Sequence, residues 1–287
     1  MRKILVATFI ILALSISPCA IAYDAKPGTF TEWLTDAGNI KDLCTSVVSV
    51  HTWGHGEGFY PNDKNEWELA RGAFEMEGMG VVVRGSHGQK YVITARHVVV
   101  PNDVTIQLTA WSFWNTTLVT IISRTISVGD GDGMVPAYIT YMPENSDLVI
   151  LAIHKAPALD PIPYKAAETW AFGYGERLDY LNRDEALAIV THARTEEGET
   201  SWTYEVRTGR MISESVELPS INDLPWFSLG HFTMDLEVFP GDSGAPVFAF
   251  ENGKPVLIGV ASAICLICPE TRSYAVRIDP VLRFLGT

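Results

Sequence analysis

The chain has 287 residues, with 34 acidic and 21 basic side chains and a net charge of −13 at neutral pH. That excess of negative charge disfavours nucleic acid and anionic membrane as partners, since both repel an acidic surface. No internal repeat or low-complexity block interrupts the sequence.

Residues 1–22 have the layout of a secretory signal. Arg2 and Lys3 give a basic start, residues 4–16 an apolar run too short to span a bilayer, and Ala20-Ile21-Ala22 a small-x-small cleavage site. The mature chain is therefore expected to be secreted or periplasmic, to begin near residue 23 and to have no further membrane contact. Residues 23–45 form an N-terminal arm in which Trp33 and Leu34 suit a small helix packed on the body. Of four cysteines, Cys44, Cys265 and Cys268 remain after cleavage, which permits one disulfide and leaves its pairing open.

From residue 46 onward, short β-branched and aromatic runs alternate with Gly, Pro, Asn and Asp. They fall at 46–53, 79–85, 90–95, 104–111, 117–127, 136–142 and 147–153. Their period of about two predicts an all-β sandwich or barrel. His51 and His55 have a metal-motif spacing, but Gly54 and Gly56 spoil the helix that would align them and no third ligand is apparent, so no metal and no cofactor is expected. A proline-rich stretch at 155–163 divides this set from a second at 169–173, 187–194, 202–207, 230–235, 246–250, 255–262 and 273–278. Beyond the arm, helix is expected only in the turn after His97 and over 279–285.

Three segments carry chemistry. The turn PGDSGAPV (240–247) presents Ser243 between glycines, TARHVV (94–99) ends a strand with His97, and SDLVIL (146–151) places Asp147 at the head of another. Serine is a weak nucleophile at neutral pH and needs a histidine to take its proton and a carboxylate to orient that histidine. All seven histidines precede Ser243, whereas α/β-hydrolases place theirs after the serine, and Ala245 breaks the G-x-S-x-G elbow. Chain order thus excludes that architecture.

These segments, with GMGVVV (78–83) upstream and 255–263 and 274–278 downstream, resemble the trypsin-like (chymotrypsin-fold) serine peptidases. The pattern is most similar to bacterial Deg-type proteases and glutamyl endopeptidases, without a PDZ domain. The resemblance spans residues 46–287. It implies two six-stranded antiparallel Greek-key β-barrels, about 46–155 and 164–287, with a short C-terminal helix. It further implies a monomeric endopeptidase acting on polypeptides, with His97 as base, Asp147 as orienting acid and Ser243 as nucleophile. The backbone amides of Gly241 and Ser243 would form the oxyanion hole. Ser262 matches the family serine beside the buried aspartate. Glu237 matches the base of the primary specificity pocket, and Ala263 and Ile264 its walls. A carboxylate at 237 favours Lys or Arg, whereas Ile264 narrows the pocket toward small residues; Ala261 stands where glutamyl endopeptidases carry a histidine. The alternative is a trypsin-fold binding protein that does not cleave. Asp242 matches the aspartate that pairs with a freed amino terminus in zymogen-activated relatives; no Arg followed by I-V-G-G precedes the first strand here, so an arginine, a hydroxyl or water is expected instead, with Arg210 and Arg272 as candidates.

Overall fold

The computed structural model describes residues 29–100, 105–109, 112–115, 117–129, 133–153, 186–194, 200–216, 230–251, 254–264 and 273–286. The expected signal at 1–22, the 155–163 connection, the expected strand at 169–173 and Cys265 and Cys268 lie outside these residues.

The first unit comprises β1 (Val47–Pro61), β2 (Trp67–Arg84), β3 (Lys90–Ala95), β4 (Thr105–Thr109), β5 (Ser112–Asn115), β6 (Thr117–Gly129), β7 (Val135–Tyr141) and β8 (Leu148–Ile153). Hydrogen bonding in the order β1-β6-β7-β8-β3-β2, with β2 returning to β1, closes a six-stranded antiparallel barrel. β4 and β5 continue the sheet beyond β2. The second unit comprises β9 (Leu187–Arg194), β10 (Thr200–Gly209), β11 (Met211–Val216), β12 (His231–Met234), β13 (Pro246–Glu251), β14 (Lys254–Ile264) and β15 (Ser273–Arg277). Among the described residues these seven form an antiparallel sheet in the order β10-β9-β13-β14-β15-β12-β11, curled into a half-barrel. The mostly-β, two-unit architecture expected from the sequence is present. β11 follows β10 after a single residue and adds an edge strand that the residue pattern did not separate.

β1 and β2 run far longer than their apolar runs suggested. Gly54 and Gly56, expected to disfavour a helix at this point, lie inside β1. A Cβ on Gly54 would sit 2.2 Å from the Ser123 carbonyl oxygen, and the pairing with β6 shifts register between His55 and Gly56. The glycines therefore mark close strand approach and a bulge.

Both faces of the strands nearest the second unit are buried. Val48, Val50, Val82, Val92, Val149 and Leu151 fill the barrel. The alternate residues Val47, Val81, Val83, Ile93, Leu148 and Ile150 join one core with β9, β13, β14 and β15. Period-two alternation thus feeds two cores at once, which fixes register strongly. The C-terminal helix α3 (Asp279–Leu285) buries Val281, Leu282 and Leu285 and ends at Gly286 in the left-handed conformation, φ 76°.

The N-terminal arm is part of this core. Its helices are α1 (Phe30–Trp33), capped by Thr29, and α2 (Ala37–Cys44), capped by the Asp36 carboxylate. Phe30 is fully buried and stacks on Phe250 at 5.1 Å, with Trp33 against the same ring. Phe30→Ala is accordingly expected to cost about 3–5 kcal/mol, the range for deleting a buried aromatic ring, read as a lowered guanidinium midpoint at unchanged slope. An unshifted midpoint would show that the arm is dispensable. Among the described residues Cys44 has no disulfide partner, and burial pushes its thiol up to about 11, which makes it a poor nucleophile.

Candidate active site

His97 and Asp147 meet because their strands pair. β3 and β8 run antiparallel with Ala95 opposite Leu148, and one step beyond that pair the Arg96 amide donates to the Asp147 carbonyl at 3.0 Å. The chain after β3 turns through a single 3-10 turn, Arg96–Val98, which aims the His97 ring back over the strand ends. Asp147 is fully buried. Its Oδ1 accepts the His97 backbone amide at 3.0 Å and its Oδ2 accepts His97 Nδ1 at 2.8 Å.

Ser243 arrives from the second unit. Its turn is wedged between the units: the Met79 amide of β2 donates to the Ser243 carbonyl at 2.7 Å, and the Gly244 amide donates to the Ala261 carbonyl of β14 at 2.7 Å. Two glycines make this approach possible. Gly244 has φ +87°, and a Cβ there would lie 2.0 Å from the Met79 carbonyl oxygen; one on Gly78 would lie 2.6 Å from that of Ser243. Gly241 likewise adopts φ 96°, which a side chain would resist.

His97 Nε2 lies 2.8 Å from Ser243 Oγ. A carboxylate only accepts, so Nδ1 of the neutral ring carries the proton toward Asp147, and Nε2 is left to accept from the Ser243 hydroxyl. Burial draws the His97 pKa down, but the charge of Asp147 and its hydrogen bond outweigh that effect and hold it above the ordinary value.

Of the other residues singled out in the sequence, Ser262 donates its hydroxyl to Asp147 Oδ2 at 2.5 Å. Glu237 has an exposed side chain, and its carbonyl accepts Arg207 Nη1 at 3.1 Å. Ala263 is half-buried opposite Tyr274 on β15, and Ile264 pairs with Ser273 at the end of β14. Asp242 finds an arginine, but a different one from those anticipated. Arg207 Nη1 lies 2.8 Å from Asp242 Oδ2, which also accepts the Phe239 amide at 2.8 Å. Arg210 instead pairs with Asp235, and Arg272 lies outside the described residues. The Arg207 guanidinium also stacks over the Phe239 ring, 4.8 Å from its centroid. The sequence signal was an arginine within the alternating strand TYEVRTG, which only the fold brings beneath the serine turn.

Two further histidines, which no sequence motif marks, are buried. His192 Nε2 lies 2.8 Å from Ser49 Oγ and links β9 to β1, and its ring stacks on Tyr204 at 5.0 Å. His231 Nε2 lies 3.0 Å from Ser262 Oγ. Among the described residues one trio, His51, Glu75 and Glu77, offers potential metal-ligand atoms within 4.8 Å of one another, with both carboxylates exposed.

The model of the trypsin-like peptidase domain matches residues 78–260. That is more than half of the chain and includes all three residues of the hydrogen-bonded line, and this protein belongs to the trypsin-like peptidase family. Among solved structures, the active form of the Rv3671c protease from M. tuberculosis matches with a TM-score of 0.51 and 16% identity, over 92% of this chain and 92% of that one. Deg5 matches with a TM-score of 0.50 and 15% identity, over 91% of this chain and 95% of that one. At such identities the likeness is one of fold. No curated protein sequence matches the chain significantly.

Proposed function

We propose that this protein is an exported serine endopeptidase that hydrolyses peptide bonds through an acyl-enzyme, with kinship to bacterial Deg-type and glutamyl-endopeptidase-like members. The reading rests on one observation: Ser243 Oγ, His97 Nε2, His97 Nδ1 and Asp147 Oδ2 form a continuous line with 2.8 Å at each hydrogen bond. In the first step Ser243 Oγ attacks the peptide carbonyl carbon while its proton passes to His97 Nε2. Collapse of the tetrahedral adduct breaks the C–N bond, and His97 returns that proton to the leaving amine. A water then repeats the sequence on the acyl-enzyme and frees Ser243. Asp147 keeps the proton of the resting imidazole on Nδ1 and balances the imidazolium charge. We assign the amides of Gly241 and Ser243 to the oxyanion hole; the left-handed backbone at Gly241 supports this, because it suits an amide turned into the cleft. Ser262 steadies Asp147, and Glu237, Ala263 and Ile264 are assigned to the substrate-contacting edge that selects the residue before the cut.

A fluorophosphonate probe distinguishes this reading from the non-cleaving alternative. The folded wild-type protein is expected to be labelled stoichiometrically, with the added mass mapping to the peptide that contains Ser243. A folded protein that stays unlabelled would favour a binding role.

A further inference from the structure

The hydrogen-bonded line does not stop at Asp147. Ser262 Oγ lies 2.5 Å from Asp147 Oδ2, and on its other side His231 Nε2 lies 3.0 Å away. His231 opens β12 and is fully buried, as is Asp147, while Ser262 is 6% exposed. Ser262 sits where the β14–β15 pairing shifts register, between Ala261 and Ala263. Such a bulge re-aims a side chain.

A hydroxyl has one proton, and here it lies between a carboxylate and an imidazole nitrogen that could each accept it. If Nε2 of His231 were bare, the Ser262 proton could turn to it, and Asp147 Oδ2 would lose one of its two donors. If Nε2 carries a proton, the imidazole occupies a lone pair of Ser262 and the hydroxyl proton is committed to Asp147. The two distances favour the second arrangement. The 2.5 Å separation is that of a hydroxyl donating to a carboxylate, and 3.0 Å is that of an ordinary N–H donor to oxygen.

We propose that His231 is a positioning residue: by donating from Nε2 to Ser262 it fixes the direction of the hydrogen bond to Asp147 and thereby the hold of Asp147 on His97. This rests on the catalytic reading of Ser243, His97 and Asp147. The relay then runs His231 to Ser262 to Asp147, where it meets Ser243 and His97 from the other side.

The test is a double-variant cycle on the acylation rate, using the fluorophosphonate probe and a peptide ester, with H231L, H231Q, S262A and the H231L/S262A pair. Losing one hydrogen bond to a charged group corresponds to roughly a tenfold loss of rate. H231L is expected to lose about that much in kcat with KM little changed, and H231Q, whose amide N–H can replace the Nε2 donor, to regain most of it. In the S262A background H231L should cost nothing further, because its route to Asp147 is gone. A wild-type rate in H231L, an undiminished penalty in S262A, or a Gln variant as slow as the Leu variant overturns the proposal. Should H231L fail to fold, nitrogen NMR of the wild-type protein decides: a protonated Nε2 on His231 supports the assignment and a bare one overturns it. Wild-type protein that refuses the probe overturns the serine-hydrolase reading and this relay together, whereas labelled wild type with an additive cycle overturns only the relay.

Discussion

Ser243→Ala is expected to leave a folded protein with the wild-type unfolding midpoint and to lower peptide hydrolysis by roughly 10⁴–10⁶-fold, the scale on which triad members act. The fold should survive because the wedge that seats the serine turn is made by backbone, the Ser243 carbonyl and the Gly244 amide, not by the hydroxyl. His97→Ala should cost about as much, and the double variant little more, since in the proposed mechanism nucleophile and base act as one unit. In the proposed mechanism the same unit sets the pH response of the wild-type protein. Only neutral His97 accepts the serine proton, and although burial opposes the charged ring, Asp147 prevails and raises the pKa. The rate should therefore rise with pH, with a midpoint above the ordinary histidine value of about 6.5. A pH profile of kcat/KM checks the sign: activity falling as pH rises through neutrality, or a Ser243→Ala protein that still hydrolyses peptides at the wild-type rate, would remove Ser243 and His97 from the chemistry.

The parts of this site legible in the sequence are those that depend on local pattern. The strands over 90–95 and 187–194 and the helix over 279–285 match the observed spans, because alternation and a proline at the helix start are local signals. The order His97, Asp147, Ser243 was also legible, since each residue lies at the end of an apolar strand or in a glycine turn. Illegible were features that depend on what a residue meets across the fold. Gly54 argues against a helix, but that it lets β6 approach closely is known only from the fold. Phe30 lies in an arm of ordinary composition, and nothing nearby announces that its ring stacks on Phe250. Arg207 lies 35 residues before Asp242, and His231 lies 31 residues before Ser262, so neither partnership leaves a spacing motif.

Arg207→Leu is expected to destabilise the protein by roughly 3–5 kcal/mol, because it takes the guanidinium from a buried carboxylate rather than merely deleting a contact. The Asp242 side chain is 2% exposed and that of Arg207 15%, so water screens the pair little. Arg207 also does more than neutralise charge. Nη1 donates to the Glu237 carbonyl as well as to Asp242, Nε donates to Glu205 at 2.5 Å, and the guanidinium plane covers Phe239. One planar cation thus ties together residues 237, 239 and 242, the chain that leads into Gly241 and Ser243. Arg207→Lys should recover only part of the loss, since an ammonium lacks the fork that reaches several acceptors and the flat face that stacks on the ring. Asp242→Asn in the Arg207→Leu background should restore stability toward wild type, because the amide removes the buried negative charge while keeping an acceptor for the Phe239 amide. Guanidinium midpoints measure the first effect, and acylation by a fluorophosphonate measures whether the turn keeps its shape. If charge compensation is what holds the turn, the double variant will unfold later than Arg207→Leu yet acylate more slowly than wild type, having lost the tie to Glu237 and Phe239. Should Arg207→Leu unfold at the wild-type midpoint and acylate normally, the serine turn holds itself, and the pairing of Asp242 with an internal arginine has no part in keeping the site formed.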